Sequence, residues 1–187
     1  MWAQNIFGAS STQAVTNHIR AQEPAFWGYK TFFSRLTVSA YGSISPYNDD
    51  NLRKSLGTTF SYLTWMEPLL KLKYSFFYLG FRRHSADLAD LPSGSAPLYW
   101  DPIGFKNHSW GVVFEKNWAG RFKLALEGDM LYTPGAPSTG SLVFLEADVL
   151  LTKNLAWRTI GFYLNSVDRD KTSYQVRNVS TGLSFRF

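Results

Sequence analysis

The amino-acid sequence predicts an all-β fold: an antiparallel, up-and-down β-barrel that spans a membrane, most simply with eight strands. Segments of roughly 11–14 residues alternate apolar side chains with small or polar ones, as strands with one apolar and one polar face do. The connections between these segments are alternately short and long. Aromatic residues make up 17% of the chain, which suits the aromatic girdles of a membrane barrel.

The composition narrows the class of protein. A chain of 187 residues fits one domain, and it has no apolar run of about 18 residues that could form a transmembrane helix. Without Cys it can form neither a disulfide nor a thiolate metal site. Its net charge of +5 is spread along the chain, which argues against a nucleic-acid-binding stripe and suits contact with anionic lipid head groups. No cofactor is expected.

Residues 1–31 do not follow the strand pattern and are predicted to form a lead-in segment before a barrel at residues 32–187. Ser10 could cap a short helix that runs towards Arg20 and ends at Pro24. Three interpretations of this segment remain open. It could be periplasmic, it could form an amphipathic helix at the membrane interface, or it could be the remnant of one or two further strands. The start lacks the basic and apolar regions of a signal peptide, so a mature form or the end of a longer chain is expected.

Eight strands are predicted from the alternation of side chains. They cover residues 33–45, 53–65, 69–83, 106–118, 121–132, 141–151, 155–165 and 174–187. Short turns at 66–68, 119–120 and 152–154 separate longer loops, of which the longest covers residues 84–105. Because membrane barrels have their short turns on the periplasmic side, this spacing predicts an outer-membrane protein with both termini in the periplasm.

Ionisable side chains fall mainly on the polar faces of these strands, where they are predicted to form a network of ion pairs inside the barrel. The network consists of Arg35, Lys71, Lys73, Glu115, Lys123, Glu127, Asp129, Glu146, Asp148 and Arg186. An eight-stranded barrel has room inside only for side chains, whereas a wider barrel would make these residues a polar path for a solute. In the strand at 155–165 the apolar Ile160, Phe162 and Leu164 are expected to face outward. The same register turns Arg158 outward, near the membrane interface.

The last predicted strand ends in Ser-Thr-Gly-Leu-Ser-Phe-Arg-Phe. Within it, Ser180, Gly182, Phe185 and Phe187 resemble the carboxy-terminal signal of bacterial outer-membrane β-barrel proteins. This resemblance implies an integral outer-membrane protein. Its implied partners are the outer-membrane lipid and the machinery that folds barrels into that membrane.

A second resemblance covers residues 99–187. Tyr99, Trp100, Asp101 and Pro102, followed by a strand rich in aromatic residues, resemble a stretch in the barrels of bacterial exopolysaccharide exporters of the cellulose-synthase outer-membrane subunit type. In that family a Ser stands where this chain has Asp101. The resemblance implies transport of a polysaccharide across the outer membrane, with these four residues on an outer loop.

His84, Ser85, His108 and Ser109 are the candidates for catalysis, because barrel enzymes that modify lipids carry a His, a Ser and a carboxylate near the outer ends of strands. Adjacent residues of a strand point to opposite faces, so neither His–Ser pair can form the hydrogen bond of a nucleophile and its base. The His residues also lack a metal-ligand spacing, and no metal is expected. We therefore expect a non-catalytic protein that anchors or passes an envelope component. The alternatives are a lipid-A-modifying enzyme and a small barrel that binds a partner through its outer loops, above all 84–105.

Overall fold

The computed structural model describes residues 4–5, 20–88, 102–136, 139–167 and 173–185. Their strands are β1 (Gln4–Asn5), β2 (Ala21–Gln22), β3 (Ala25–Phe32), β4 (Leu36–Pro46), β5 (Leu52–Met66), β6 (Leu69–Phe81), β7 (Phe105–Trp118), β8 (Phe122–Tyr132), β9 (Gly140–Leu150), β10 (Leu155–Val167) and β11 (Ser173–Phe185). A four-residue helix, α1 (Ser85–Leu88), follows β6. Within the described ranges no helix has the length and apolar character needed to cross a membrane.

Strands β3 to β11 form one antiparallel sheet in which sequence neighbours pair, in the order β11-β10-β9-β8-β7-β6-β5-β4-β3. Eight of them, β4 to β11, coincide with the eight predicted strands to within a few residues. The sheet differs from the expected barrel in two ways: it has nine strands, and in the described part of the chain β3 and β11 do not pair, so it is not closed. Strands β1 and β2 form a separate two-stranded sheet.

The ninth strand, β3, lies in the segment that was expected to be a lead-in, so the sheet begins before residue 32. Its connection to β4 contains Phe33 and Ser34, which have positive φ angles of 50° and 60°. Tight hairpin turns with positive φ usually select Asn or Gly. The residues around Phe33 therefore carry no sequence sign of a hairpin. Residues 10–19 of the helix expected between Ser10 and Pro24 lie outside the described residues, and Ala21–Gln22 form the strand β2 rather than a helix.

The chain divides into two compact units. The first comprises Met1–Tyr29, Ser39–Thr58 and Phe76–Lys106, and the second comprises Lys30–Val38, Thr59–Ser75 and Asn107–Phe187. Among the described residues, the buried apolar ones belong to the first unit, and they are Ala21, Tyr47, Leu79 and Phe81. The rings of Tyr47 and Phe81 meet edge to face with their centroids 5.5 Å apart.

Large apolar side chains lie mostly at the surface. Among the described residues only the four just named are buried hydrophobics, whereas 26 large hydrophobic side chains are exposed, including Trp27 (69%), Phe33 (94%) and Val179 (78%). A domain that folds in water buries most of its large apolar residues and rarely exposes extensive apolar patches. The distribution therefore fits a sheet whose surface meets an apolar solvent or partner.

The pairing of β7 to β11 in the second unit gives the sheet two distinct faces, because directly paired residues lie on the same face. The charged face has the rows Asn117–Lys123–Asp148–Arg158–Gly182, Glu115–Ala125–Glu146–Ile160–Ser180, Val113–Glu127–Phe144–Phe162–Asn178 and Gly111–Asp129–Leu142–Leu164–Val176. The apolar face has the rows Trp118–Phe122–Val149–Trp157–Leu183, Lys116–Leu124–Ala147–Thr159–Thr181 and Phe114–Leu126–Leu145–Gly161–Val179. Strands β7, β8, β9 and β11 present the faces that the alternation predicts.

The faces of β10 are the reverse of the expectation. Ile160, Phe162 and Leu164 lie on the charged face, and Arg158 lies with them, directly opposite Asp148. The outward position predicted for Arg158 is therefore wrong. Both faces of β10 carry large apolar side chains, so alternation alone does not distinguish them. The ion pairs of Arg158 with β9 favour the observed register.

Candidate functional site

Lys73 of β6 reaches across β7 to two carboxylates of β8. Its Nζ lies 3.0 Å from Oδ2 of Asp129 and also forms an ion pair with Glu127. The Asp129 side chain is 5% exposed, and no described residue forms a hydrogen bond with its Oδ1. Gly111 lies opposite Asp129 on β7 and leaves room for the carboxylate, because a Cβ at Gly111 would collide with Oδ1. The structure thus brings together three members of the predicted ion-pair network.

Arg158 of β10 is the centre of a second group of charges on the same face. Its Nε lies 3.2 Å from Oδ1 of Asp148, and its Nη2 pairs with Glu146. These two carboxylates are two residues apart on β9 and share a face, so they present acceptors to a guanidinium, which donates several hydrogen bonds at once. Lys123 of β8 pairs with Glu115 of β7 at 3.5 Å. The predicted members Glu115, Lys123, Glu146 and Asp148 are therefore all in ion pairs, and Arg158 is the member that sequence reasoning missed.

A shallow pocket of about 360 Å³ opens on the charged face at the end of the short turns. The charged residues that line it are Arg121, Lys123, Asp148, Lys153 and Arg158. Arg121 immediately precedes β8, and its carbonyl oxygen accepts a 2.7 Å hydrogen bond from the backbone N–H of Leu150. Lys153 lies in the turn between β9 and β10. The short turns thus add cations to the rim of a face that carries both signs of charge.

In the first unit, a polar cluster joins the segment before β3 to β4 and β5. Glu23 forms an ion pair with Arg53 at 2.5 Å and accepts hydrogen bonds from Ser43 at 2.9 Å and Tyr41 at 3.2 Å. The hydroxyls of Ser43 and Ser55 are 2.7 Å apart. Burial raises the pKa of the Glu23 carboxyl, but the Ser43 hydrogen bond and the Arg53 charge together outweigh burial and hold that pKa below its ordinary value.

The apolar face has aromatic side chains at both ends of its strands. At the end of the short turns, the rings of Trp118 and Phe122 stack with centroids 5.0 Å apart, and Trp157 belongs to the same row. At the opposite end the aromatic side chains in mutual contact are those of Tyr74, His108, Trp110 and Tyr132. Rows of mainly Leu, Val and Ala separate the two groups.

The structure separates the catalytic candidates His108 and Ser109. His108 lies in the aromatic group, with its Nδ1 2.9 Å from the Tyr74 hydroxyl, whereas Ser109 lies on the other face of β7 and is 8% exposed. Ser85 begins α1 and is fully buried, while the preceding His84 is exposed. In the described ranges no three His, Asp or Glu side chains are grouped so that they could hold a metal ion.

The remaining predicted site residues lie apart from these charge groups or outside the described residues. Arg35 is exposed in the turn just before β4, and Lys71 is partly buried on β6, two residues before Lys73. Pro102 accepts a 3.1 Å hydrogen bond from the backbone N–H of Phe81. Of the carboxy-terminal signal, β11 contains Ser180, Gly182 and Phe185. The predicted residues outside the described part are Tyr99, Trp100, Asp101, Arg186 and Phe187.

An up-and-down antiparallel sheet of amphipathic strands occurs both in membrane barrels and in soluble up-and-down barrels. A solved structure described as a bacterial polysaccharide outer membrane secretin is similar to this chain, with a TM-score of 0.69 and 10% sequence identity. The match covers 95% of this chain and 62% of that chain, so this chain spans less than two thirds of its structural relative. The fold of this structural relative agrees with the resemblance to outer-membrane β-proteins. The sequence matches no family model and no curated protein.

Proposed function

We propose that this chain forms part of the wall of an integral β-barrel in the bacterial outer membrane, through which an envelope polysaccharide passes. In this arrangement the apolar face meets lipid and the charged face lines the passage. The short turns and the end of β11 lie in the periplasm, whereas β3, which runs in the same direction as β11, begins at the end of the long loops. The observation that carries the proposal is the apolar face itself, whose rows are half-buried or exposed and include the exposed side chains of Trp157, Val179 and Leu183.

The cost of the apolar face in water is the first support for a membrane location. Leu183, Val179 and Trp157 are 68%, 78% and 46% exposed, and they belong to rows that continue across neighbouring strands. Each Å² of apolar surface exposed to water costs about 25 cal/mol. In hydrocarbon that cost is absent, whereas a charged side chain on the same face would cost about 2–4 kcal/mol at the midplane.

The aromatic ends of the strands are the second support. Trp110 and Trp118 lie on the apolar face of β7, eight residues apart, which is about 26 Å along a strand. At the tilt of about 35–45° of barrel strands, this length spans roughly 20 Å along the membrane normal, somewhat less than the apolar band of roughly 25 Å between two aromatic girdles. The two aromatic groups therefore lie near the two membrane interfaces.

The open edges of the sheet bear on the width of the barrel. Unpaired backbone groups in hydrocarbon cost several kcal/mol each, so β3 and β11 must be covered by further strands in a membrane. A barrel that adds several strands to these nine approaches the roughly 16–18 strands at which the interior leaves an aqueous channel. The charged face would then line an aqueous path.

Polysaccharide is the proposed cargo because two independent likenesses agree. The structural relative is described as a polysaccharide secretin, and residues 99–187 resemble exopolysaccharide exporters. The carboxy-terminal residues Ser180, Gly182, Phe185 and Phe187 would serve as the signal for the barrel-assembly machinery.

The experiment that tests the membrane location uses nitroxide labels on single cysteines, since the chain has no Cys of its own. Leu126→Cys lies on the apolar face and Ala125→Cys on the charged face of the same strand. In lipid vesicles the label at 126 should be accessible to oxygen and shielded from a water-soluble nickel chelate, and the label at 125 should behave in the opposite way. Equal exposure of both labels to the chelate would contradict the proposal.

Passage of a polysaccharide through the barrel is tested separately, by measuring the conductance of the purified protein in a planar bilayer. An open channel that a polysaccharide of the producing cell blocks would support transport. A protein that inserts and remains insulating would instead favour a role as an anchor.

A further inference from the structure

The pocket on the charged face, bounded by the short turns after β7 and β9, is called the turn pocket here. Its volume of about 360 Å³ falls in the range of roughly 300–1,000 Å³ that small-molecule sites occupy. Asn117, Asn154 and Ser184 contribute hydroxyl and amide groups to its lining. Such groups donate and accept hydrogen bonds with equal ease, which suits the hydroxyls of a sugar.

The charge of the turn pocket is unbalanced. Four cations line it, and Asp148 is the one carboxylate among its lining residues. The nearby Glu115 and Glu146 are engaged by Lys123 and Arg158. In the described part of the chain Arg121 and Lys153 form no ion pair, so their positive charges are uncompensated at the rim.

The carboxylates of β9 also hold Arg158 in place. Glu146 and Asp148 fix its Nη2 and Nε, yet the Arg158 side chain remains 53% exposed. A guanidinium has five N–H donors, and these two contacts use only part of them. The remaining donors face a pocket that is open to solvent and are already oriented for an acceptor, so less rotamer entropy is lost on binding.

We propose that the turn pocket binds the negatively charged groups of an acidic polysaccharide as it enters the passage from the periplasm. The inference rests on the proposed function and adds the class of cargo: a glycan that carries carboxylates, rather than a neutral or amino sugar polymer. Arg121 and Lys153 bind the carboxylates of the chain, and the remaining N–H donors of Arg158 bind its hydroxyls. Just behind them in the next row, Ile160 offers an apolar contact for a sugar ring.

The test measures binding of three soluble probes to the full chain in detergent micelles: an oligogalacturonate, a neutral cello-oligosaccharide and a cationic glucosamine oligomer. The oligogalacturonate should bind most tightly, and added salt should weaken its binding. Arg121→Gln and Lys153→Gln should each weaken it about threefold, and the double variant about tenfold, as expected for solvent-exposed charge pairs.

Lys116→Gln is the matched control, because it removes one positive charge from the opposite face of β7, where Lys116 lies over the ring of Trp118. Its affinity for oligogalacturonate should be unchanged. Equal affinity for all three probes would overturn the inference. So would a loss of oligogalacturonate affinity in Lys116→Gln as large as the loss in Arg121→Gln. Since the binding assay does not depend on insertion, a protein that forms a channel but ignores oligogalacturonate would refute the cargo class and leave the membrane role intact.

Discussion

Lys73 of β6 and Asp129 of β8 form an ion pair across the strand that lies between them, with Nζ and Oδ2 3.0 Å apart. The contact depends on Gly111 of the intervening strand. A Cβ at Gly111 would collide with Oδ1 of Asp129 and lie 3.0 Å from the carbonyl oxygen of Gly128. One residue without a side chain thus lets two charges meet over a β-strand.

Gly111→Ala is expected to destabilise the protein by about 1–3 kcal/mol, the usual cost of forcing extra volume into a packed position. The methyl group must push Asp129 away and weaken its ion pair with Lys73. Thermal unfolding in detergent, followed by circular dichroism, measures the loss. Gly128→Ala is the control, since nothing lies within 4 Å of a Cβ at Gly128. If the two variants unfold at the same temperature, the space at Gly111 is not needed.

Lys73→Met should destabilise the protein on the order of 3 kcal/mol, because it leaves Glu127 and Asp129 close together without a cation. Lys71→Met is the matched control on the same strand, and it should change the unfolding free energy by less than about 0.5 kcal/mol. Denaturant unfolding in micelles compares the two variants. Equal losses of unfolding free energy in the two variants would mean that the Lys73 contacts contribute no more to stability than an ordinary surface charge.

The strands of the sheet could be predicted from sequence because their side chains alternate over long stretches. β8 shows this clearly: Lys123, Glu127 and Asp129 fall on one face, and Leu124 and Leu126 on the other. β10 could not be assigned in the same way, since it is apolar on both faces. Its register depends on an ion pair with another strand, and such long-range information is absent from a local pattern.

Part of the charged face could be predicted from sequence, because most of its ionisable residues lie on strands whose side chains alternate clearly. Glu146 and Asp148 were expected on the inside, but Arg158 was assigned to the other face, so its ion pairs with them were not predicted. The Glu23 cluster was not predictable, because Glu23 lies in a segment without alternation and meets Arg53 only through the fold. The strand β3 was foreseen only as the alternative of further strands in residues 1–31, because Phe33 and Ser34 make a positive-φ turn without Gly or Asn.

Glu23 should make the stability of the protein sensitive to acid. The pKa of Glu23 is lower in the folded protein than its ordinary value of 4.5. Above pH 4.5 the ionised carboxylate of Glu23 therefore stabilises the fold. This contribution should disappear as the pH falls through the folded-state pKa and Glu23 becomes protonated beside Arg53. Unfolding midpoints between pH 6 and pH 3 measure the effect.

Glu23→Gln is the control for this pH dependence. The variant should be less stable than the parent at pH 6, and the difference should shrink as the pH falls from about 4.5 through the folded-state pKa. A difference that stays constant over this range would show that Glu23 does not contribute through its charge. Tyr41 and Ser43, which hydrogen-bond the same carboxylate, are unchanged in this comparison.

The number of strands limits how the sheet can be completed. Neighbouring strands run in opposite directions, so in a sheet of nine the edge strands β3 and β11 run in the same direction. They cannot join each other by the antiparallel pairing used everywhere else in the sheet. An antiparallel barrel that contains these nine strands therefore needs an odd number of further strands between β11 and β3.

Engineered disulfides should distinguish this open sheet from a barrel closed by β3 and β11. Thr159 and Thr181 are direct partners with hydroxyl oxygens 3.3 Å apart, and the Cα separation of paired residues, about 4.5–5.5 Å, permits a disulfide. Thr159→Cys with Thr181→Cys should therefore cross-link on mild oxidation of the solubilised chain. Thr181→Cys combined in turn with Trp27→Cys, Tyr29→Cys or Thr31→Cys on β3 should not. A cross-link in any of these three variants, at the yield of the control pair, would mean that the chain closes on itself, and the passage would then have to fit inside nine strands.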